Sequence, residues 1–211
     1  MATTFWSFIV ISAVVIVTPG PDTALTIRNI LAGGRSDGVF TALGVAAGQA
    51  VWALAASAGV VSILIASEAL FRAVKIAGAI YLIYLGARSL LAALRGRHAP
   101  ISIDRVKLSG RLPGPVALRQ GFISNLANPK MAVFFASILP QFAPHGGAVF
   151  GAMLLLGLLF CSMTLVWLAL YAVVLSKVQE ALIKPRAQRL IEATTGVALV
   201  VLGWRLASAE R

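Results

Sequence analysis

Long apolar runs separated by short polar segments fill this chain from end to end. They extend over Phe5 to Leu25, Val39 to Ile65, Ala69 to Leu94, Ala117 to Phe142, Ala148 to Leu175 and Leu190 to Ala207. Each approaches or exceeds the roughly 20 residues a helix needs to cross the hydrocarbon core of a bilayer. The second is long enough to span with tilt. The pattern predicts an all-α, polytopic protein of about six transmembrane helices, with residues 1–211 forming a single transmembrane domain. With six runs and their connections placed, no separate soluble domain fits.

Composition agrees. The chain is 59% hydrophobic and 12% charged, with a mean hydropathy of +0.92, against about 25% charged residues in soluble domains. Met1 to Ser7 carries no Lys or Arg, so the first run lacks the basic start of a signal peptide and reads as a mature helix. Cys161 is the only cysteine, which excludes an intramolecular disulfide and a paired-thiol redox motif; it is expected to sit inertly in the fifth span.

The net charge of +11 would suggest nucleic acid in a soluble protein, but its distribution argues for topology instead. Arg95, Arg97, Arg105, Lys107, Arg111 and Arg119 crowd the connection between spans three and four against one acid, Asp104. Lys177, Lys184, Arg186 and Arg189 lie between spans five and six, and Arg28 and Arg35 between one and two. The alternate loops, Ala66 to Ala69 and Ala143 to Gly147, hold no Lys or Arg. Basic loops face the cytoplasm, so both termini are predicted outside, and nucleic acid is not an expected partner.

An internal match divides the chain into repeat one (1–95), a cytoplasmic basic loop (96–116) and repeat two (117–211). Arg72-Ala-Val-Lys75, Leu82, Leu85-Gly86 and Arg88 align without gaps with Arg189-Leu-Ile-Glu192, Leu199, Leu202-Gly203 and Arg205. The opening spans align more weakly, with Pro19 over Pro129, and glycines follow in each half: Gly38, Gly44 and Gly48, then Gly147, Gly151 and Gly157. Three spans per half force the second half to enter from the opposite side, giving a 3+3 inverted repeat, an architecture of secondary transporters.

The opening helix of each half is interrupted by proline, at Pro19-Gly20-Pro21 and at Asn128-Pro129. A proline inside a helix leaves the carbonyl four residues earlier unpaired, and in lipid that oxygen must find another partner. Val15, Val17 and Asn125 are the carbonyls expected to be freed. Carbonyls and carboxylates attract an ammonium, while helix N-termini attract a carboxylate, so two such breaks suit a zwitterion. Around them lie Thr18 and Asp22 in one half and Asn125, Asn128 and Lys130 in the other, and an ionisable residue within a membrane is a functional candidate. The plainer alternative has Thr18-Pro19 and Asn128-Pro129 as N-cap and first helical residue, with Asp22 meeting the helix dipole. Both readings stand, since a restart inside the membrane is what would create a site.

Other polar positions carry less. Lys75 snorkels outward or pairs with Glu68; Glu192 and Arg189 pair or stay hydrated. Gly44-Val-Ala-Ala-Gly48 permits close helix approach, in internal packing or in a homodimer seam, internal packing being favoured. Tyr81, Tyr84, Trp6, Trp52, Trp167 and Trp204 include interfacial anchors, with the mid-span Trp52 and Trp167 placed to line a cavity. His98 and His145 fall in loops, away from any metal-ligand cluster, and Cys161, Met131, Met153 and Met163 are too scattered for a soft-metal pathway. An enzyme is not expected, nor is a metal or cofactor; a membrane scaffold without transport is the rival class.

The motifs together resemble the LysE/RhtB family of amino-acid exporters: Thr18-Pro-Gly-Pro-Asp22, the glycine-spaced second span through Gly48, Gly78-Ala-Ile-Tyr-Leu-Ile-Tyr-Leu-Gly86, and Gly121-Phe-Ile-Ser-Asn-Leu-Ala-Asn-Pro-Lys130 followed by Phe134-Phe135 and Leu139-Pro-Gln-Phe142. The resemblance covers essentially the whole chain. It implies a bacterial inner-membrane exporter of amino acids driven by the proton gradient, with family positions falling on Pro19, Gly20, Pro21, Asp22, Asn125, Asn128, Pro129 and Lys130. On this reading the halves rock about a central site. Asp22 alternates between protonated and ammonium-paired states, Asn125 and Asn128 orient substrate, and Lys130 holds the substrate carboxylate or Asp22. With one confident acid in the pathway, neutral substrates such as threonine, homoserine or leucine fit better than basic ones.

Overall fold

The computed structural model describes residues 2–66, 68–95, 112–144 and 148–182, and, towards the end of the chain, 193–194, 196–197, 200–201, 203–205 and 207–208. Arg97, His98, Asp104, Arg105, Lys107, Arg111, His145, Gly147, Lys184, Arg186, Arg189, Glu192, Leu199 and Leu202 lie outside the described residues, as do the side chains of Glu68, Lys75, Leu82, Leu85, Arg88, Arg95 and Lys177.

The described residues are helical, with no strand among them. Helix α1 (Ala2–Val17) and α2 (Pro21–Gly33) are the two arms of the first interrupted helix. A single residue, Gly34, then reverses the chain; its φ of 83° lies in the left-handed region that glycine adopts without steric cost. Helices α3 (Arg35–Ala66) and α4 (Glu68–Arg95) follow. The second interrupted helix consists of α5 (Gly114–Leu126) and α6 (Pro129–Val133), continued by a π-helical turn over Phe134–Ile138 and a 3-10 turn over Leu139–Phe142. The change of winding falls where Pro140 lacks the N–H that an α-helix would use. Helix α7 (Val149–Leu182) completes the continuous elements.

Two of these helices, over Arg35–Gly59 and Val149–Val174, are long and apolar enough to cross a membrane alone. Two further spans arise if each bent pair counts as one: Phe5–Val17 with Pro21–Gly33, bent by 52°, and Gly114–Leu126 with Pro129–Phe142, bent by 51°. The breaks thus turn the chain by nearly the same angle. The first span runs eight residues past its predicted end at Leu25, because Thr26 and Asn29 turn inward and let a polar stretch stay helical. Arg28 therefore lies within α2 rather than in a connecting loop.

Helix α3 is the centre of the packing, held between α5 and α7, with α2 against all three. Small residues make this possible: a Cβ on Gly44 would run into the carbonyl of Leu118, one on Gly121 into that of Thr41, and one on Gly48 would lie 2.9 Å from Asn125 Cβ. Gly44 and Gly48 are thereby committed to contact within the chain, not to a homodimer seam. Phe8, Val15, Met131, Phe134, Phe135 and Phe160 form the buried core beside it, Phe134 stacked on Phe160 at 4.0 Å. Large apolar side chains such as Leu155 and Val166 point outward, 70% and 60% exposed, as lipid contact requires.

The packing of α4 on the last helical segment is reciprocal. A Cβ on Gly86 would meet the Gly196 carbonyl and Val200, and one on Gly203 would meet the Ala79 carbonyl and Ile83. These pairs exchange at the constant offset that relates Gly86 to Gly203 in the aligned sequence.

Candidate functional site

The two breaks begin their second arms in different ways. Asn128 caps α6 in the expected manner, its Oδ1 accepting the N–H of Lys130 at 3.0 Å, with Pro129 as first helical residue. At the other break the cap is Gly20 and the first helical residue Pro21, with no side-chain cap. Thr18 is therefore not the cap expected; its hydroxyl donates back to the Val14 carbonyl at 2.7 Å. The structural partner of Pro129 is consequently Pro21 rather than Pro19, and this shift brings Asp22 and Lys130 to the same position, second in their helices.

Each of those residues reaches into the opposite break. The Asp22 carboxylate accepts from Asn125 Nδ2 at 2.8 Å, Asn128 Nδ2 at 2.7 Å and Ser124 Oγ at 2.7 Å. The Lys130 ammonium donates to the carbonyls of Thr18 at 2.8 Å and Val15 at 3.1 Å. Val15 is one of the oxygens that proline was expected to free, and a charged donor is the strong partner such a group needs. Asn125, also expected to lose its helical partner, has its carbonyl capped by Asn128 N–H at 3.0 Å and Trp52 Nε1–H at 3.3 Å. Asp22 and Lys130 are each 7% exposed, Thr18 3%, Asn128 1% and Asn125 0%, so a negative and a positive group sit together out of bulk water.

Between them lies a cavity of about 20 Å³, lined by Asp22, Lys130, Gln49, Thr23, Thr164 and an apolar wall that includes Met131 and Phe160. That is room for about one water. Gly20 explains how Lys130 fits: a Cβ there would lie 3.2 Å from Nζ and 3.3 Å from Cε.

The sequence reading missed Ser124, Gln49, Thr23 and Thr164. Ser124 is the polar neighbour of Asn125 in the last turn of α5, and Gln49 is a lone amide buried in an apolar helix, which costs energy unless it is used; both were visible signals. Trp52 instead braces the Asn125 carbonyl and Trp167 packs on Tyr171 at 5.3 Å, so neither lines the cavity.

A second polar layer lies two turns along α2. Asn29 Nδ2 donates to Thr41 at 2.9 Å and to Gln120 at 3.0 Å, and Arg28 donates to Gln120 at 3.0 Å and to Asn29 Oδ1 at 3.1 Å. It ties α2 to α3 and α5 on the side away from the break. Among the described residues no group of three His, Cys, Asp or Glu is placed to hold a metal ion.

Apolar helices broken at two places, with a buried acid and a buried lysine exchanged between the breaks, make up the candidate site. Residues 13–210 match the LysE type translocator family, and the chain belongs to it. Among relatives, it is 28% identical over 204 residues to the uncharacterized membrane protein YrhP of Bacillus subtilis, spanning 93% of this chain and 95% of that protein. It is 33% identical over 152 residues to the leucine efflux protein of Salmonella typhimurium, spanning 69% of this chain and 68% of that one. No solved structure matches the chain significantly.

Proposed function

We propose that this protein exports neutral amino acids of the leucine type from the bacterial cytoplasm by alternating access, exchanging them for protons. The observation that carries the reading is the crossed arrangement in which Asp22 is held by the second break and Lys130 by the first, on either side of one small cavity. When the site opens, a substrate ammonium takes the acceptor position that Ser124, Asn125 and Asn128 leave on Asp22, while its carboxylate draws Lys130 away from Val15 and Thr18. Protonation of Asp22 from the outside then weakens its hold on the ammonium, and substrate leaves. A cavity the size of one water cannot admit an amino acid, so the helices must part in each cycle.

The leucine efflux relative supports the substrate class, and a lysine in the cavity wall disfavours basic substrates. Nearly equal bends at the breaks and the reciprocal contacts of Gly86 and Gly203 support six spans in a 3+3 inverted repeat. The charge of alternate loops supports both termini outside, and membership of the translocator family supports inner-membrane placement.

Thermal unfolding of the purified protein against a panel of amino acids tests this reading. A ligand at a hundred times its Kd stabilises by about 2.7 kcal/mol, and leucine or a close relative is expected to do so. If no amino acid raises the melting temperature, the scaffold reading replaces this one.

A further inference from the structure

Gln49 is 1% exposed, lines the cavity beside Asp22, and its Oε1 has no hydrogen-bond partner among the described residues. Its Nε2 donates only to the thioether sulfur of Met131, at 3.5 Å, a weak acceptor. A buried amide oxygen left unpaired is costly, more so where water is scarce.

An ammonium brings three N–H donors. The Asp22 carboxylate has about four acceptor positions, and Ser124, Asn125 and Asn128 use three of them. One position on Asp22 and the free oxygen of Gln49 face the same cavity, two acceptors for an ammonium's three donors. We infer that Gln49 is an amine ligand of the transported substrate, completing with Asp22 a site that recognises the primary ammonium of an amino acid; this rests on the export reading above. The residue then selects for the amine itself, whatever side chain lies against Phe160 and Met131. A carboxylic acid of the same carbon skeleton but without the amine gains nothing from it.

The experiment is inhibition of labelled leucine exchange in proteoliposomes by unlabelled L-leucine and by 4-methylpentanoate, which lacks the amine. Gln49→Met should weaken leucine about tenfold or more, the loss of one hydrogen bond to a charged group, and leave 4-methylpentanoate within about twofold. Gln49→Glu keeps an acceptor of the same length and should hold leucine within about threefold of wild type while weakening 4-methylpentanoate, so it decides the matter if Gln49→Met fails to fold. Equal loss for both compounds in Gln49→Met, or wild-type leucine inhibition in it, would overturn the inference, as would loss of leucine binding in Gln49→Glu. A wild-type protein that exchanges no amino acid would instead overturn the export reading, before any variant is compared.

Discussion

Lys130, the second residue of one broken helix, donates its ammonium to the carbonyl of Val15 in the other, 3.1 Å away and 115 positions earlier in the chain. The contact joins two defects into one structure. Proline removes the N–H that would have bonded Val15, and a lysine placed at the positive end of α6, where the helix dipole opposes it, recovers stability by meeting that oxygen and Thr18. Lys130→Met should therefore leave two buried carbonyls poorly satisfied, at about 1–3 kcal/mol each. Its melting temperature in detergent is expected to fall by several degrees, and an unchanged value would separate Lys130 from the integrity of the break.

Among the described residues, Ser124 alone is bonded to Asp22 Oδ1, at 2.7 Å. Ser124→Ala removes one charge-assisted bond of three without touching the asparagines. Leucine exchange should fall by about tenfold, with Ser124→Thr recovering much of it because the hydroxyl is restored. Equal rates in wild type and Ser124→Ala would mean that Asp22 is positioned by Asn125 and Asn128 alone.

Glycines in the α3–α5 seam and in the first turns of α7 make opposite predictions. A methyl group on Gly44 collides with the Leu118 backbone, which cannot yield, while one on Gly151 meets nothing within 4 Å. Gly44→Ala should lower the yield of folded protein and its melting temperature by several degrees; Gly151→Ala should leave both near wild type. Equal behaviour of the two variants in size-exclusion and thermal-melt assays would contradict the packing described.

Reciprocity between the halves is testable in the same way. Gly86 and Gly203 pack on backbone carbonyls 2.7 and 2.8 Å from where a Cβ would stand. Gly86→Val and Gly203→Val are thus expected to depress the melting temperature by similar amounts. A severe effect in one with none in the other would weaken the inverted-repeat reading.

Much of the helical layout was legible because long apolar runs mark helices directly: α3 and α4 begin and end within a few residues of the runs that predicted them. The end of the first span was not, since Arg28 and Asn29 look like loop residues until Gln120 and Thr41 are known to face them. The site was half legible. Asp22, Asn125, Asn128 and Lys130 follow from the cost of breaking a helix in lipid, and the freed Val15 carbonyl from proline's missing N–H. Which charge meets which partner did not follow, because that depends on how two segments more than a hundred residues apart cross in space. Nor did the cap at Gly20, as Thr18 offers the better capping side chain but spends it on Val14.

The central claim is that Asp22 and Lys130 together form the moving part of a substrate site. Its most direct test is labelled leucine counterflow in proteoliposomes, compared per amount of folded protein for wild type, Asp22→Asn and Lys130→Met. Wild-type protein should accumulate label, and each variant should lose about a hundredfold or more, the scale by which binding falls when one partner of a buried hydrogen-bonded charge pair is truncated. Wild-type counterflow in both variants would contradict the account, leaving the crossed breaks as structure alone.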